Sequence, residues 1–238
     1  MTVPVKVAVV LLAMSCGAAA GQALSVVPVN VLLVPGQKTA TLTVTNRGDH
    51  ETAIQIRPYA WNQPDGNDQL DETHALVISP PITSIPAGAS QLIRLLLKQP
   101  PAEKETTYRI LLDQLPPPAE TGIVHVVFRL SIPVFSPPAR RAAAHLQFHV
   151  ESETGQVYVV VTNNGLRHEV VRDIELSTAN GIKLKTDTDV SPYILAGATR
   201  RWHVTAQESL PLPDDILKLT ARADGGAIEQ QVRVAAKQ

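Results

Sequence analysis

Every second residue from Val124 to Val134 is apolar: Val124, Val126, Phe128, Leu130, Ile132 and Val134. The positions between them are mixed and include His125, Arg129, Ser131 and Pro133. A period of two puts one set of side chains on one face of a β-strand. The pattern predicts a strand over 123–135, which at about 3.3 Å per residue would be roughly 43 Å long. Most strands run to about 5–6 residues, so the apolar row is longer than one core needs. Proline clusters bound it, with Pro116, Pro117 and Pro118 before it and Pro137 and Pro138 after it.

The same alternation predicts six more strands in the first half, over 24–34, 39–46, 52–61, 75–79, 89–98 and 107–115. In the second half it predicts 145–150, 156–162, 168–177, 182–186, 192–195, 199–206, 216–223 and 227–234. Short strands separated by Pro, Gly and Asn turns suit immunoglobulin-like sandwiches. The halves also echo each other. Val44-Thr45-Asn46-Arg47-Gly48 returns as Val161-Thr162-Asn163-Asn164-Gly165, and Pro86-Ala87-Gly88-Ala89-Ser90 as Leu195-Ala196-Gly197-Ala198-Thr199. Two matches in the same order favour a tandem pair of related units. The expected fold is all-β: two tandem immunoglobulin-like β-sandwich domains joined by a proline-rich hinge at Ser136-Pro137-Pro138. The domains would be 24–137 and 138–238, because neither proline can donate to a ladder.

Composition changes this picture at the N-terminus. Lys6, an apolar run from Val7 to Met14 and small residues before Leu24 read as a secretory signal peptide over 1–23, too short to span a membrane. Its removal takes away one of 21 basic residues and leaves 20 against 22 acidic ones. That balance argues against a nucleic-acid partner held by a basic surface. The only cysteine, Cys16, and both methionines, Met1 and Met14, leave with it. The mature chain would therefore have no disulfide and no sulfur ligand for zinc or copper. With 44% hydrophobic but 4% aromatic residues, its cores must be aliphatic.

Little catalytic chemistry stands out. His145 and His149 share a strand face about 13 Å apart, too far for one metal ion. Asp65-Gly66-Asn67-Asp68 resembles part of a calcium loop but lacks its later Glu, and reads as a turn. No nucleophile elbow, phosphate loop or zinc-protease motif is present. Trp61 and Trp202, one per half, read as core or rim residues. The expectation is a protein that is not an enzyme, with no cofactor, no metal and no small-molecule substrate.

An ordered set of pieces resembles the periplasmic pilus-assembly (fimbrial) chaperone family, nearest its divergent archaic branch. The pieces are Val44-Thr45-Asn46, Pro80-Pro81 before Pro86-x-Gly88, Gln91-x-x-Arg94, Tyr108-Arg109 leading to Leu115-Pro116-Pro117, and Arg129-Leu130-Ser131-Ile132-Pro133-Val134-Phe135. The second half matches in length and strand rhythm only. The resemblance implies a periplasmic protein that caps pilus subunits by lending them a β-strand and delivers them to an outer-membrane usher. Strand addition of this kind supplies ladder bonds along the backbone and alternate side chains for a groove. Val124, Val126, Phe128 and Leu130 would be the donated residues, while Ile132 and Val134 stay in the home core. A self-capping dimer is left open. The rival reading is a secreted tandem β-sandwich binding protein, a carbohydrate or surface-layer module, for which four Tyr, two Trp and three Phe leave little aromatic surface.

The chain departs from the family pattern at the anchor for the subunit's terminal carboxylate. The family places an Arg on the first strand and a Lys before the last apolar-Phe pair. Here 24–34 carries no cation and Pro133 stands at the Lys position. The Tyr-Arg that usually follows is Ser136-Pro137, and Gln114 replaces the carboxylate of the usual interdomain pair. A carboxylate still favours an Arg partner. Arg109 and Arg129 are the candidates, with Arg94 behind them.

Overall fold

A computed structural model describes residues 24–116, 122, 126–188, 190–206 and 209–237. The expected signal segment 1–23 and Val124 lie outside the described residues. Ten strands build the first sandwich: β1 (Leu24–Val27), β2 (Val31–Leu32), β3 (Thr39–Asn46), β4 (Thr52–Asn62), β5 (Gln69–Glu72), β6 (Leu76–Ser79), β7 (Ile82–Ile85), β8 (Ser90–Leu97), β9 (Thr106–Gln114) and β10 (Arg129–Ser136). One sheet has the order β1-β3-β8-β6; the other has β2-β10-β9-β4-β5, with β7 also on β4. Alternate residues meet between them. Leu42 and Val44, Ile93 and Leu95, Ile54 and Ile56, Ile110 and Leu112, and Ile132 and Val134 form one core.

The eight strands of the second sandwich are β11 (Leu146–Glu153), β12 (Gln156–Asn163), β13 (Glu169–Ser177), β14 (Lys183–Thr186), β15 (Tyr193–Ile194), β16 (Thr199–Thr205), β17 (Ile216–Ala223) and β18 (Gly226–Ala236). β14 pairs both β13 and β16, which closes the strands around a second core. Val150, Val159, Val161, Leu176, Trp202 and Leu219 lie in it. The all-β, immunoglobulin-like expectation matches this architecture.

Three elements differ from the expected pattern. The predicted strand 24–34 breaks at Pro28, which cannot continue a ladder. β1 then pairs β3 in one sheet while β2 runs parallel to β10 in the other. β5 and β7 have no apolar alternation to reveal them, and their partner β4 defines them instead. The long strand 123–135 is shorter as a ladder, since β10 begins at Arg129. Residues 126–128 precede it, and a backbone bond from Gln114 N–H to Phe128 O at 2.9 Å ties them to β9.

A third apolar cluster joins the sandwiches: Trp61, Phe135, Leu195 and Ala198, with Tyr193 packed against them. Trp61 therefore lies between the two units, whereas Trp202 is a core residue. Polar contacts surround the cluster. Arg200 donates to Asp68 Oδ1 (2.6 Å), Gly66 O (2.8 Å) and Tyr193 O (3.1 Å). Trp61 Nε1 and Gln63 Nε2 donate to the same Asp68 oxygen. Burial pushes the Asp68 carboxyl up, but hydrogen bonds from Arg200, Gln63 and Trp61 outweigh it and hold the group below its ordinary value. On the other side, the fully buried Glu105 carboxylate accepts His168 N–H at 2.8 Å, and His168 stacks on Phe135.

Candidate functional site

β9 lies between β10 and β4. Its residues Tyr108, Ile110 and Leu112 enter the core, so Arg109, Leu111 and Asp113 point from the opposite face. Strand register sets three rows across that face: Tyr59, Arg109 and Pro133; then Arg57, Leu111 and Ser131; then Gln55, Asp113 and Arg129. Below the first row, Trp61 and Phe135 meet the second sandwich. The face thus looks into the cleft between the two units.

Arg109 is half-buried at the base of this cleft. Its guanidinium lies 3.8 Å above the Trp61 ring and 5.3 Å from the Tyr193 ring. A cation over an aromatic face is attracted by the ring quadrupole, yet several N–H donors stay available for another acceptor. Among the described residues Arg109 has no ion-pair or side-chain hydrogen-bond partner. Burial pulls its pKa below the ordinary guanidinium value, with the nearby Asp68 charge opposing that shift. Arg109 remains charged, because a guanidinium keeps its proton in proteins.

Arg129 is placed differently. Its Nε pairs with Asp113 Oδ1, while Arg57 Nη2 takes Asp113 Oδ2 at 2.7 Å. Burial raises the Asp113 carboxyl, and hydrogen bonds from Arg129 and Arg57 bring it below its usual range. Arg129 already has a carboxylate and is largely exposed, so the two candidate cations are not equivalent. Arg94 lies on the exposed face of the other sheet, beside Thr41 and Ser79, away from the cleft. Arg57, Asp113 and the Trp61 platform had no sequence motif; the alternation Gln55, Arg57, Tyr59, Trp61 was a signal for Arg57 and Trp61 but not for Asp113.

Next to this face lies the edge of β10. Across 129–133 it pairs only with β9 among the described residues, while β2 takes the edge at Val134 and Phe135. Ahead of it, Val126 is 76% and Phe128 39% exposed, and Leu130 is half-buried against the first core. No cluster of metal-ligating side chains occurs among the described residues.

Two immunoglobulin-like sandwiches set around a cleft, with one open strand edge beside it, define the architecture of a pilus-assembly chaperone. Residues 23–142 match the family model of the pili and flagellar-assembly chaperone, PapD N-terminal domain, and the chain belongs to this family. The probable fimbrial chaperone EcpB of Escherichia coli is 27% identical over 204 residues, covering 81% of this chain and 87% of that protein. A chain of the CsuC–CsuE chaperone–tip adhesion subunit complex, from archaic chaperone-usher Csu pili of Acinetobacter baumannii, superposes with a TM-score of 0.66 at 21% identity. That match covers 90% of this chain and 99% of the other. The YadV chaperone gives 0.63 at 19% identity, covering 89% and 100%.

Proposed function

We propose that this chaperone captures pilus subunits in the periplasm by adding a strand to them, and passes them to an outer-membrane usher without any chemical step. The observation that carries the reading is an open strand edge running down to a half-buried arginine, Arg109, that has no carboxylate or side-chain hydrogen-bond partner among the described residues. A subunit edge pairs with β10, and Val124, Val126, Phe128 and Leu130 offer apolar side chains to its groove. Each such side chain contributes about 1.5–3 kcal/mol on burial, before ordering costs. Arg109 takes the subunit's terminal carboxylate. Arg129 plays a lesser part, because Asp113 already holds it. Subunit pairing covers an edge that would otherwise recruit other chains.

Capture from the periplasm by the tagged protein, with mass spectrometry of what coelutes, tests the reading. The V126D/F128D double variant should lose capture while its thermal unfolding is unchanged; undiminished capture would show that strand donation is wrong. Arg109→Ala should weaken capture about 10–100-fold, the range of one charge-assisted contact. Arg129→Ala should weaken it less than about threefold, a sub-kcal/mol effect. Equal losses in the two variants would remove Arg109 from its role.

A further inference from the structure

Two backbone hydrogen bonds fix which groups of β10 face its open edge. Gln114 N–H donates to Phe128 O, so Phe128 turns toward β9; Leu33 N–H donates to Phe135 O, so Phe135 turns outward. In an antiparallel pair the N–H and C=O of one residue point to the same side, and the side alternates along the strand. Leu130, Ile132 and Val134 therefore turn to β9, while Arg129, Ser131 and Pro133 turn to the open edge. Pro133 has no N–H to offer there. An added strand finds donors and acceptors at Arg129 and Ser131, and then a rung without a donor. Immediately beyond it, β2 occupies the edge.

Arg109 stands at that same rung. It is the Cα partner of Pro133. Because Ile110 and Ile132 form the hydrogen-bonded pair, Arg109 and Pro133 form the non-hydrogen-bonded kind, which brings side chains closest. An internal peptide carbonyl placed here would lose water and gain no ladder donor, which is costly. A terminal carboxylate needs no ladder N–H, since a guanidinium can satisfy it more strongly. We propose that Pro133 is a specificity-determining residue: it admits the end of a subunit chain at this rung and rejects an internal segment, while Arg109 supplies the attraction. The occupant rests on the strand-addition reading above.

The test uses the subunit identified in the capture experiment, made with its native C-terminus and with two added alanines. The wild-type chaperone should prefer the native end by about tenfold, the scale of one unsatisfied backbone group. Pro133→Ala should narrow that preference to within about threefold by binding the extended form more tightly. Arg109→Ala should narrow it by the opposite route, binding the native form less tightly. Circular dichroism and thermal unfolding report whether Pro133→Ala keeps the fold, and Pro133→Val, which suits a strand, serves in its place if it does not. Unchanged affinity of the folded Pro133 variant for the extended subunit would overturn the proposal. A wild-type protein that captured no subunit would instead refute strand addition itself.

Discussion

The asparagine turns of the two sandwiches are built almost atom for atom alike, yet they serve different ends. Asn46 and Asn163 are both fully buried. The Asn46 amide donates to His50 O and Ile85 O, and its Oδ1 accepts Gly48 N–H. Asn163 donates to Arg167 O and Ile194 O, and its Oδ1 accepts Gly165 N–H. Backbone bonds to Ala89 and Ala198 match as well, and the hydroxyls of Thr45 and Ser90 pair as those of Thr162 and Thr199 do. The difference lies in what covers the turn. Asn163 Oδ1 also accepts His145 N–H, Leu166 N–H donates to Ala143 O, and Leu166 O accepts Glu105 N–H. The second turn thus holds the connection between the sandwiches and a loop of the first one. A repeated local motif becomes an interdomain clamp when a neighbouring segment supplies the remaining partners.

Alanine at the two asparagines should separate the roles most strongly. Asn163→Ala strips partners from several buried groups, each worth about 1–3 kcal/mol, and should cost about 3 kcal/mol or more in chemical unfolding. Asn46→Ala should cost about 1 kcal/mol less, for want of the linker bond. Equal costs would mean that the clamp adds nothing. A smaller effect is expected from Gly165→Ala, whose Cβ would come within 2.4 Å of Ala143 O and 2.5 Å of His145 N. Displacing the linker should cost about 1–3 kcal/mol and loosen the docking, read as faster proteolysis after Arg140 or Arg141. Unaltered proteolysis would place the strain elsewhere.

The smallest effect concerns acid. Asp68 is held below its ordinary pKa on the docked side, so its contribution is present above the usual carboxylate range near pH 4. It is lost as pH falls through the lowered folded value. Asp68→Asn should therefore destabilise the protein at neutral pH and flatten this part of the acid unfolding profile. A profile as steep as the wild type's would assign the acid loss to other groups.

Much of the fold was legible in the residues. β3 and β12 were visible because every second residue, Leu42, Val44 and Asn46 in one and Val157, Val159, Val161 and Asn163 in the other, turns to the inside, although Val160 is buried as well. β5 was not, since all four of its residues are exposed and Leu70 is its one apolar residue. The start of β10 was set too early because apolar alternation continues upstream into Val126 and Phe128, which the first core does not bury. Alternation reports which faces are oily, not which rungs are paired. At the candidate site, Arg109 and Arg129 looked equal in the sequence. Asp113 distinguishes them through register, as it lies opposite Arg129, while Arg109 lies opposite a proline.

What the chain determined by itself was local: strand period, proline stops and the asparagine turns. These depend on neighbours in sequence, whose geometry is set within a few residues. Tertiary structure decided the rest. It paired Asp113 with two arginines, laid Arg109 over Trp61, turned Pro133 to an open edge and closed the Asn163 turn over the linker. Each of these depends on residues far apart in the chain meeting at one register, and a one-residue slip would turn every such side chain to the other face.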